Sequence, residues 1–256
     1  MNAHALTKIA QETLKYLEGG SLKVDSVLYT PEELAKIDGY ARRMRPEAEI
    51  FVTNESTLEA ARREASPTTL VLNFASGKNP GGGFLRGTSA QEESLARSSS
   101  LYPTLTPFMD SYYKKNREAG APLYTDHMIL SRNVTVYRED NGTWLTTPYQ
   151  VGVLTVPAPN CSELSLGDRI KPGIRECLNR RARYICAVAN SEGYSNLVLG
   201  AWGCGVFKND PEMVARAFRT ALALYSFEKV TFAIYDSPDG TTYRTFQYLL
   251  GATTSS

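Results

Sequence analysis

Short apolar runs alternate with amphipathic stretches along most of the chain. Runs typical of strands occur at 48–53, 69–75, 127–131, 133–139, 149–159, 196–203 and 229–236, and those at 69–75 and 196–203 are typical of buried strands. Apolar residues at helical spacing, bounded by start and stop signals, predict helices at 5–17, 31–44, 58–65, 89–101, 168–190, 210–226 and 240–250. Such alternation predicts an α/β fold in which a mixed, mostly parallel sheet lies between two helical layers.

The length of 256 residues suits one large α/β domain better than two small ones. We therefore predict a single domain over 1–256, in which residues 1–45 form an N-terminal helical extension before the regular alternation begins. A Thr30-Pro31 start with Glu33 three residues after Thr30 predicts a capped helix in that extension.

Composition narrows the classes of partner and compartment. The 28 basic and 27 acidic residues leave a net charge of +1, so we expect no direct nucleic-acid readout. No apolar stretch approaches the ~20 residues of a membrane span, and charges interrupt the N-terminal apolar residues as they do not in a signal peptide. Cysteines stand alone, without a CxxC pair, at Cys161, Cys177, Cys186 and Cys204. We therefore predict a cytoplasmic protein in a reducing compartment.

Histidine is scarce, which limits the available chemistry. His4 and His127 are the two histidines, and neither has a potential ligand at helical spacing. A zinc site built on histidine and a Ser-His-Asp triad are therefore disfavoured. We expect a structural role for His127 at the start of a strand, and neither a metal nor a cofactor.

The loops that follow the predicted strands hold the residues of chemical interest. They lie at 75–88, 157–167, 201–209 and 236–240. Ligands of mostly parallel sheets bind beyond the carboxyl ends of the strands, so these loops predict a shared cleft.

Two of these loops are rich in glycine. The stretch VLNFASGKNPGGG can present backbone N–H groups to an anion, although it matches neither a Walker A loop nor GxGxxG, and a tight turn is the alternative. The stretch AWGCGVF contains Gly203-Cys204-Gly205, with Phe207 as a ring for packing. Cys204 is either a nucleophile or a packed thiol, and the lack of a nearby base favours the packed thiol. Two such loops indicate a ligand with more than one phosphate.

An acid pair follows the first glycine loop. Ser89 and Glu92 have the spacing of a capping box, so Glu92 is either a helix cap or a site residue. Glu93 falls in the first helical turn beside the predicted phosphate site. Negative charge nearby favours the protonated form of a carboxyl, which suits a general acid. An acid beside phosphates fits cleavage of a sugar bond better than phosphoryl transfer, which needs magnesium.

The spacing Gly81-Gly82-Gly83, seven residues, Gln91-Glu92-Glu93 resembles the signature of poly(ADP-ribose) glycohydrolases. Its flanks and the later stretch GAWGCGVFKNDPEMVARAF are similar to the short bacterial and microbial type of that family over roughly 30–250. The resemblance implies a macrodomain that hydrolyses the ribose–ribose bonds of poly(ADP-ribose) and releases ADP-ribose.

The resemblance also implies residue roles. Glu93 would protonate the departing ribose oxygen, while Glu92 and Asn73 would hold hydroxyls of the ribose being cleaved. The two glycine loops would wrap the diphosphate, Phe207 would pack on the ribose, and Tyr235 would lie where an aromatic ring meets adenine. The implied substrate-binding residues are Asn73, Gly81, Gly82, Gly83, Gln91, Gly203, Cys204, Gly205, Val206, Phe207 and Tyr235.

Two alternative functions stay open at this point. One is a macrodomain that binds ADP-ribose without cutting it, although a pure reader does not need an acid at Glu93. The other is a hydrolase of the same fold that removes single ADP-ribose units from proteins. Whether the enzyme cuts poly(ADP-ribose) or removes single ADP-ribose units, we expect ADP-ribosylated proteins as its partners.

Overall fold

A seven-stranded mixed sheet forms the centre of the computed structural model, which describes residues 1–20, 23–39, 48–237 and 239–251. The strands are β1 (Ser26–Tyr29), β2 (Glu49–Thr53), β3 (Thr69–Phe74), β4 (Met128–Arg138), β5 (Trp144–Val156), β6 (Asn196–Gly200) and β7 (Lys229–Ala233). Their order is β1-β4-β5-β3-β6-β7-β2. The pairs from β5 to β2 are parallel, and β4 pairs with β1 and β5 in antiparallel fashion. The predicted mixed, mostly parallel sheet is confirmed.

The helices follow the predicted alternation closely. They are α1 (Ala3–Glu18), α2 (Pro31–Asp38), α3 (Thr57–Arg63), α4 (Gln91–Ser98), α5 (Leu101–Leu105), α6 (Lys115–Ala119), α7 (Leu166–Arg169), α8 (Pro172–Ser191), α9 (Pro211–Leu222) and α10 (Thr241–Leu250). The predicted capping box at Thr30 is present at the start of α2. We predicted that this helix continues to residue 44, but α2 ends at Asp38, and residues 40–47 lie outside the described residues.

Three local features differ from the prediction. The strands predicted at 127–131 and 133–139 are one strand, β4, because a bulge at Asn133 (φ 56°) shifts the register without ending the pairing with β5. β1 was not predicted, since its four residues lack a clear alternation and depend on pairing with β4. The segment between α4 and β4 carries α5, a π-helical turn at Met109–Lys114 and α6.

Both faces of the sheet are covered by helices, which confirms the three layers. Leu70 and Leu72 of β3 point into a core shared with α8 and α9, while Val71 between them joins a core shared with α3, α4 and α5. A third, small cluster packs Ala10 of α1 against Phe84 and Ala96, and so seats the N-terminal helix on the first glycine loop. Among the described residues, we find no helix with the length and apolarity needed to cross a membrane.

Candidate active site

Helix α4 is fastened to the carboxyl end of β3 by the side chain of Gln91. Its Oε1 accepts from Phe74 N–H at 2.9 Å, and its Nε2 donates to the Leu72 carbonyl oxygen at 2.7 Å. The amide therefore pairs with strand backbone as a neighbouring strand would. Gln91 was predicted to bind substrate, and the structure uses its amide to set the position of the two acids that follow.

Glu92 lies in the protein interior, with 3% of its surface exposed. Its carboxyl accepts from Asn73 Nδ2 at 3.2 Å and from Ser76 N–H at 2.6 Å. Burial raises the pKa of Glu92 to about 8, and the charge of Glu93 acts in the same direction. The capping alternative is wrong, because α4 has Ala90 at its N-cap position and no side-chain cap.

The raised pKa of Glu92 predicts that stability falls as the pH rises. An unfolded glutamate titrates near its ordinary 4.5 and the folded Glu92 near 8, so between these values the folded state alone keeps the proton. The contribution of Glu92 to the free energy of unfolding should therefore drop by up to about 1.4 kcal/mol per pH unit in this window and level off above it. Urea unfolding at pH 5, 6.5 and 8 measures this slope.

The matched variant is Glu92→Gln, which cannot titrate. The amide nitrogen cannot accept from Ser76 N–H, and that loss lowers stability equally at every pH. The slope is therefore the readout, and it should be shallower in the variant. Parallel pH profiles for the two proteins would show that Glu92 does not titrate in this range.

Glu93 sits in the first turn of α4, with 8% of its surface exposed. Its Oε1 accepts from Gly83 N–H at 2.8 Å, which joins the acid to the glycine loop. Gly82 has φ +60°, and a Cβ there would overlap Glu93 Oε1 and lie 3.1 Å from Glu92 Oε2. The loop thus packs its bare backbone directly against both carboxyl groups.

The three glycines of the first loop are required by contacts inside the protein as well as by any ligand. We predicted that they clear space for a ligand, but each of the three is also required by a contact inside the protein. A side chain at Gly81 (φ +65°) would crowd Phe84 at 2.9 Å, and one at Gly83 would overlap Thr88. The loop can therefore pack over the acid pair only because these three positions are glycine.

The second glycine loop is held in place by Asn209. Its Nδ2 donates to the Pro159 carbonyl oxygen at 2.7 Å and to the Gly203 carbonyl oxygen at 3.0 Å, and a Cβ at Gly203 (φ +74°) would lie 2.6 Å from Nδ2. Gly205 and Val206 are exposed, and a Cβ at Gly205 would meet nothing within 4 Å. The open stretch of the loop is therefore the one that a ligand can approach.

Cys204 has the surroundings of a packed thiol. Its Sγ lies 3.9 Å from the Trp202 carbonyl oxygen, and burial raises its pKa well above the ordinary value. A thiol kept neutral is a poor nucleophile. This environment supports a packed thiol at Cys204, which the sequence favoured over a nucleophile.

The arrangement of glycine loop and acid pair agrees with comparisons to known proteins. The model of the family described as "Microbial-type PARG, catalytic domain" matches residues 9–139. The chain belongs to this family. No curated protein sequence matches at a significant level.

Solved poly(ADP-ribose) glycohydrolase (PARG) structures share the fold of this family member. One from Thermomonospora curvata is 38% identical, with a TM-score of 0.89, over 96% of this chain and all of that one. Another from the same organism, bound to the inhibitor ADP-HPD, is 38% identical, with a TM-score of 0.86, over 96% and 99% of the chains. One from Deinococcus radiodurans in complex with ADP-ribose is 44% identical, with a TM-score of 0.79, over 87% and 93%.

Tyr124, which the sequence did not single out, contacts the loops of the candidate site. A Cβ at Gly77 would lie 3.1 Å from the Tyr124 ring. The Tyr124 hydroxyl accepts from Asn160 Nδ2 at 3.3 Å. The ring centroid of Phe207 is 6.3 Å away. Tyr124 therefore contacts the loops after β3, β5 and β6. No local sequence pattern predicts these contacts.

Other predicted residues lie at the edges of the site. Tyr235 follows β7 at the same end of the sheet, and 86% of it is exposed. His127 directly precedes β4, where Nδ1 lies 3.0 Å from Thr125 Oγ1, and burial lowers its pKa, as suits a structural role. Across the described ranges, no three His, Cys, Asp or Glu side chains group as metal ligands would.

Proposed function

We propose that this chain hydrolyses the ribose–ribose O-glycosidic bonds of poly(ADP-ribose) and releases ADP-ribose. The observation that carries the proposal is the packing of Gly82 against both acids, with Gly83 N–H donating to Glu93. A glycine loop and two carboxyl groups thus meet within one site. Family membership and the related structures bound to ADP-ribose and ADP-HPD support the same substrate.

In the proposed reaction Glu93 is the general acid. It gives its proton to the bridging ribose oxygen as the bond from that oxygen to the anomeric carbon breaks. A water molecule held by the substrate's diphosphate adds to the anomeric carbon and returns a proton to the Glu93 carboxylate. One water is consumed and the acid is regenerated.

Glu92 and Asn73 are proposed to hold hydroxyls of the ribose being cleaved. Asn73 Nδ2 is shared between Glu92 and Thr155 Oγ1, at 3.2 and 3.1 Å, which fixes the amide. Its Oδ1 is buried and has no hydrogen-bond partner among the described residues. An unpaired buried acceptor is costly, so a substrate hydroxyl that donates to it would be bound favourably.

The remaining contacts follow the loops. We propose that the two glycine loops, Gly81–Gly83 and Gly203–Phe207, enclose the diphosphate. In the first loop Gly82 N–H already donates to the Asn79 carbonyl oxygen and Gly83 N–H to Glu93, so the exposed stretch of the second loop supplies the N–H donors. We propose further that Phe207 packs on the ribose and that the exposed Tyr235 packs on adenine. We also propose that residues 1–256 form one macrodomain-like catalytic domain with 1–45 as its helical extension. The contact of Ala10 with Phe84 supports placing that extension against the site.

Phe207→Ala should lower turnover at least as much as ligand affinity. A ring packed on the ribose orders the reacting bond, and a loss of orientation appears in kcat. Steady-state kinetics on poly(ADP-ribose), with ADP-ribose affinity from calorimetry, separate the two effects. Normal turnover at saturating polymer would instead make Phe207 a packing residue of the loop.

The function itself is tested by incubating labelled poly(ADP-ribose) with the purified protein. Release of ADP-ribose supports the proposal. Binding without release would make the protein a reader of ADP-ribose, and release only from singly modified proteins would make it a mono-ADP-ribosyl hydrolase. We propose ADP-ribosylated proteins as partners. We also propose a cytoplasmic location, because the four cysteines are free, as is usual in a reducing compartment.

A further inference from the structure

A large groove lies away from the acid pair, between the carboxyl-terminal half of α1 and strands β4 and β5. Its volume is about 1010 Å³. Lys15, Tyr16, Lys23 and Tyr137 line it, and Gln150 is the residue that β5 contributes. None of the acids or glycines of the active site is among its lining residues.

Helix α1 connects the active site to this groove. At its start, the Ala3 carbonyl oxygen packs against Gly87, at the end of the first glycine loop, so closely that a Cβ at Gly87 would overlap it. Lys15 and Tyr16 lie in its last turns. The rise of an α-helix separates Ala3 from Tyr16 by about 20 Å. A polymer that leaves the active site along α1 would therefore reach the groove.

The groove presents two unneutralised positive charges. The two acidic residues that line the groove form ion pairs with arginines. Glu12 pairs with Arg138 at 3.1 Å, and Asp25 pairs with Arg132 at 3.3 Å. Lys15 and Lys23 are exposed and have no ion-pair partner in the described part of the chain. A ligand with phosphate groups is the one these charges favour.

An aromatic cluster borders the same groove. The ring of Tyr16, a residue that is 52% exposed, lies 5.0 Å from the ring of Tyr137 and 4.9 Å from that of Trp144. The Arg138 guanidinium covers Trp144 at 3.6 Å. Packing on two rings holds Tyr16 in place while leaving half of it exposed, as in stacking platforms for bases.

We propose that this groove binds an adenosine diphosphate segment of the poly(ADP-ribose) chain remote from the bond being cut. Tyr16 stacks on the adenine, and Lys15 and Lys23 pair with the diphosphate. The inference rests on the proposed function in so far as the polymer is the substrate. Its consequence is that long chains bind more tightly than the shortest substrate, which cannot occupy both sites.

The test compares Tyr16→Ala and a Lys15→Glu/Lys23→Glu double variant with wild type. The charge-matched control is Lys36→Glu/Arg175→Glu, on the exposed surfaces of α2 and α8 in the opposite helical layer. Each protein is assayed on long poly(ADP-ribose) and on the ADP-ribose dimer. We expect KM for the long polymer to rise about 10-fold in both groove variants, with kcat and dimer kinetics unchanged and the control like wild type.

Direct binding of labelled long polymer, measured without reference to turnover, keeps the groove testable if the wild type hydrolyses nothing. In that case the proposed function fails, while a 10-fold affinity loss in the groove variants still supports the site. Equal effects on dimer and polymer, or none, would overturn it. So would full affinity in Tyr16→Ala, or equal competition by single-stranded RNA, since either result reduces the groove to a general basic surface.

Discussion

Glu93→Gln is expected to lose most hydrolysis of poly(ADP-ribose) while keeping its fold and its affinity for ADP-ribose. Glutamine retains an oxygen that accepts from Gly83 N–H, a bond of 2.8 Å in this structure, but it has no proton to deliver to a poor leaving group. General acid catalysis is worth roughly two to four powers of ten in rate, or about 3–5 kcal/mol. Single-turnover hydrolysis and calorimetry on the same preparation measure both properties.

The matched variant is Glu92→Gln, one residue away. Glu92 is the alternative proton donor, because its pKa near 8 keeps it protonated at neutral pH. Its two oxygens are, however, already engaged by Asn73 and Ser76, which suits a positioning role. We expect a smaller and pH-dependent loss in this variant. An active Glu93→Gln beside an inactive Glu92→Gln would reverse the roles of the two acids.

Gly82→Ala is expected to cost at least about 100-fold in hydrolysis and to weaken ADP-ribose binding. The new Cβ would overlap Glu93 Oε1 and lie 3.0 Å from Glu93 Cδ, so either the acid or the loop must move. Displacing an acid from reach of its proton acceptor removes most of the rate that it supplies. Kinetics on polymer, calorimetry with ADP-ribose and a thermal melt measure the effect.

The control for Gly82→Ala is Gly193→Ala. Gly193 has φ +81°, in the same left-handed region as Gly82, but a Cβ there would meet nothing within 4 Å. Backbone strain of about 1–2 kcal/mol is thus common to both variants. Only the contact with the acids differs, and Gly193→Ala should keep full activity. If the two variants behaved alike, the close approach of Gly82 to Glu93 would have no catalytic importance.

The sequence predicted the layers of the fold because their signals are local. The apolar run at 69–75 reads as a strand buried on both faces, and Leu70, Val71 and Leu72 do alternate between two cores. The helix start at Thr30 was readable from its capping residues and proline, and that cap is present. Weak elements such as β1 were not readable, since they exist through pairing with a distant strand.

The acid pair and its loop were found by spacing, but their working arrangement was decided by contacts between segments distant in sequence. That Glu92 is buried beneath Asn73 and Ser76, rather than capping its helix, depends on how α4 docks on β3. Tyr124, which touches three loops, has no local signature at all.

By itself the sequence determined the alternation of strands and helices, the glycine run and the placement of two glutamates at a helix start, because periodicity, capping and spacing act over a few residues. The tertiary structure alone decided the environments of those residues. Gly82 meets Glu93 only when the loop folds back on α4, and Lys15, Tyr16 and Tyr137 line one groove only when α1 packs beside β4. Burial, pKa and ligand geometry depend on such long-range contacts, which a linear pattern does not contain.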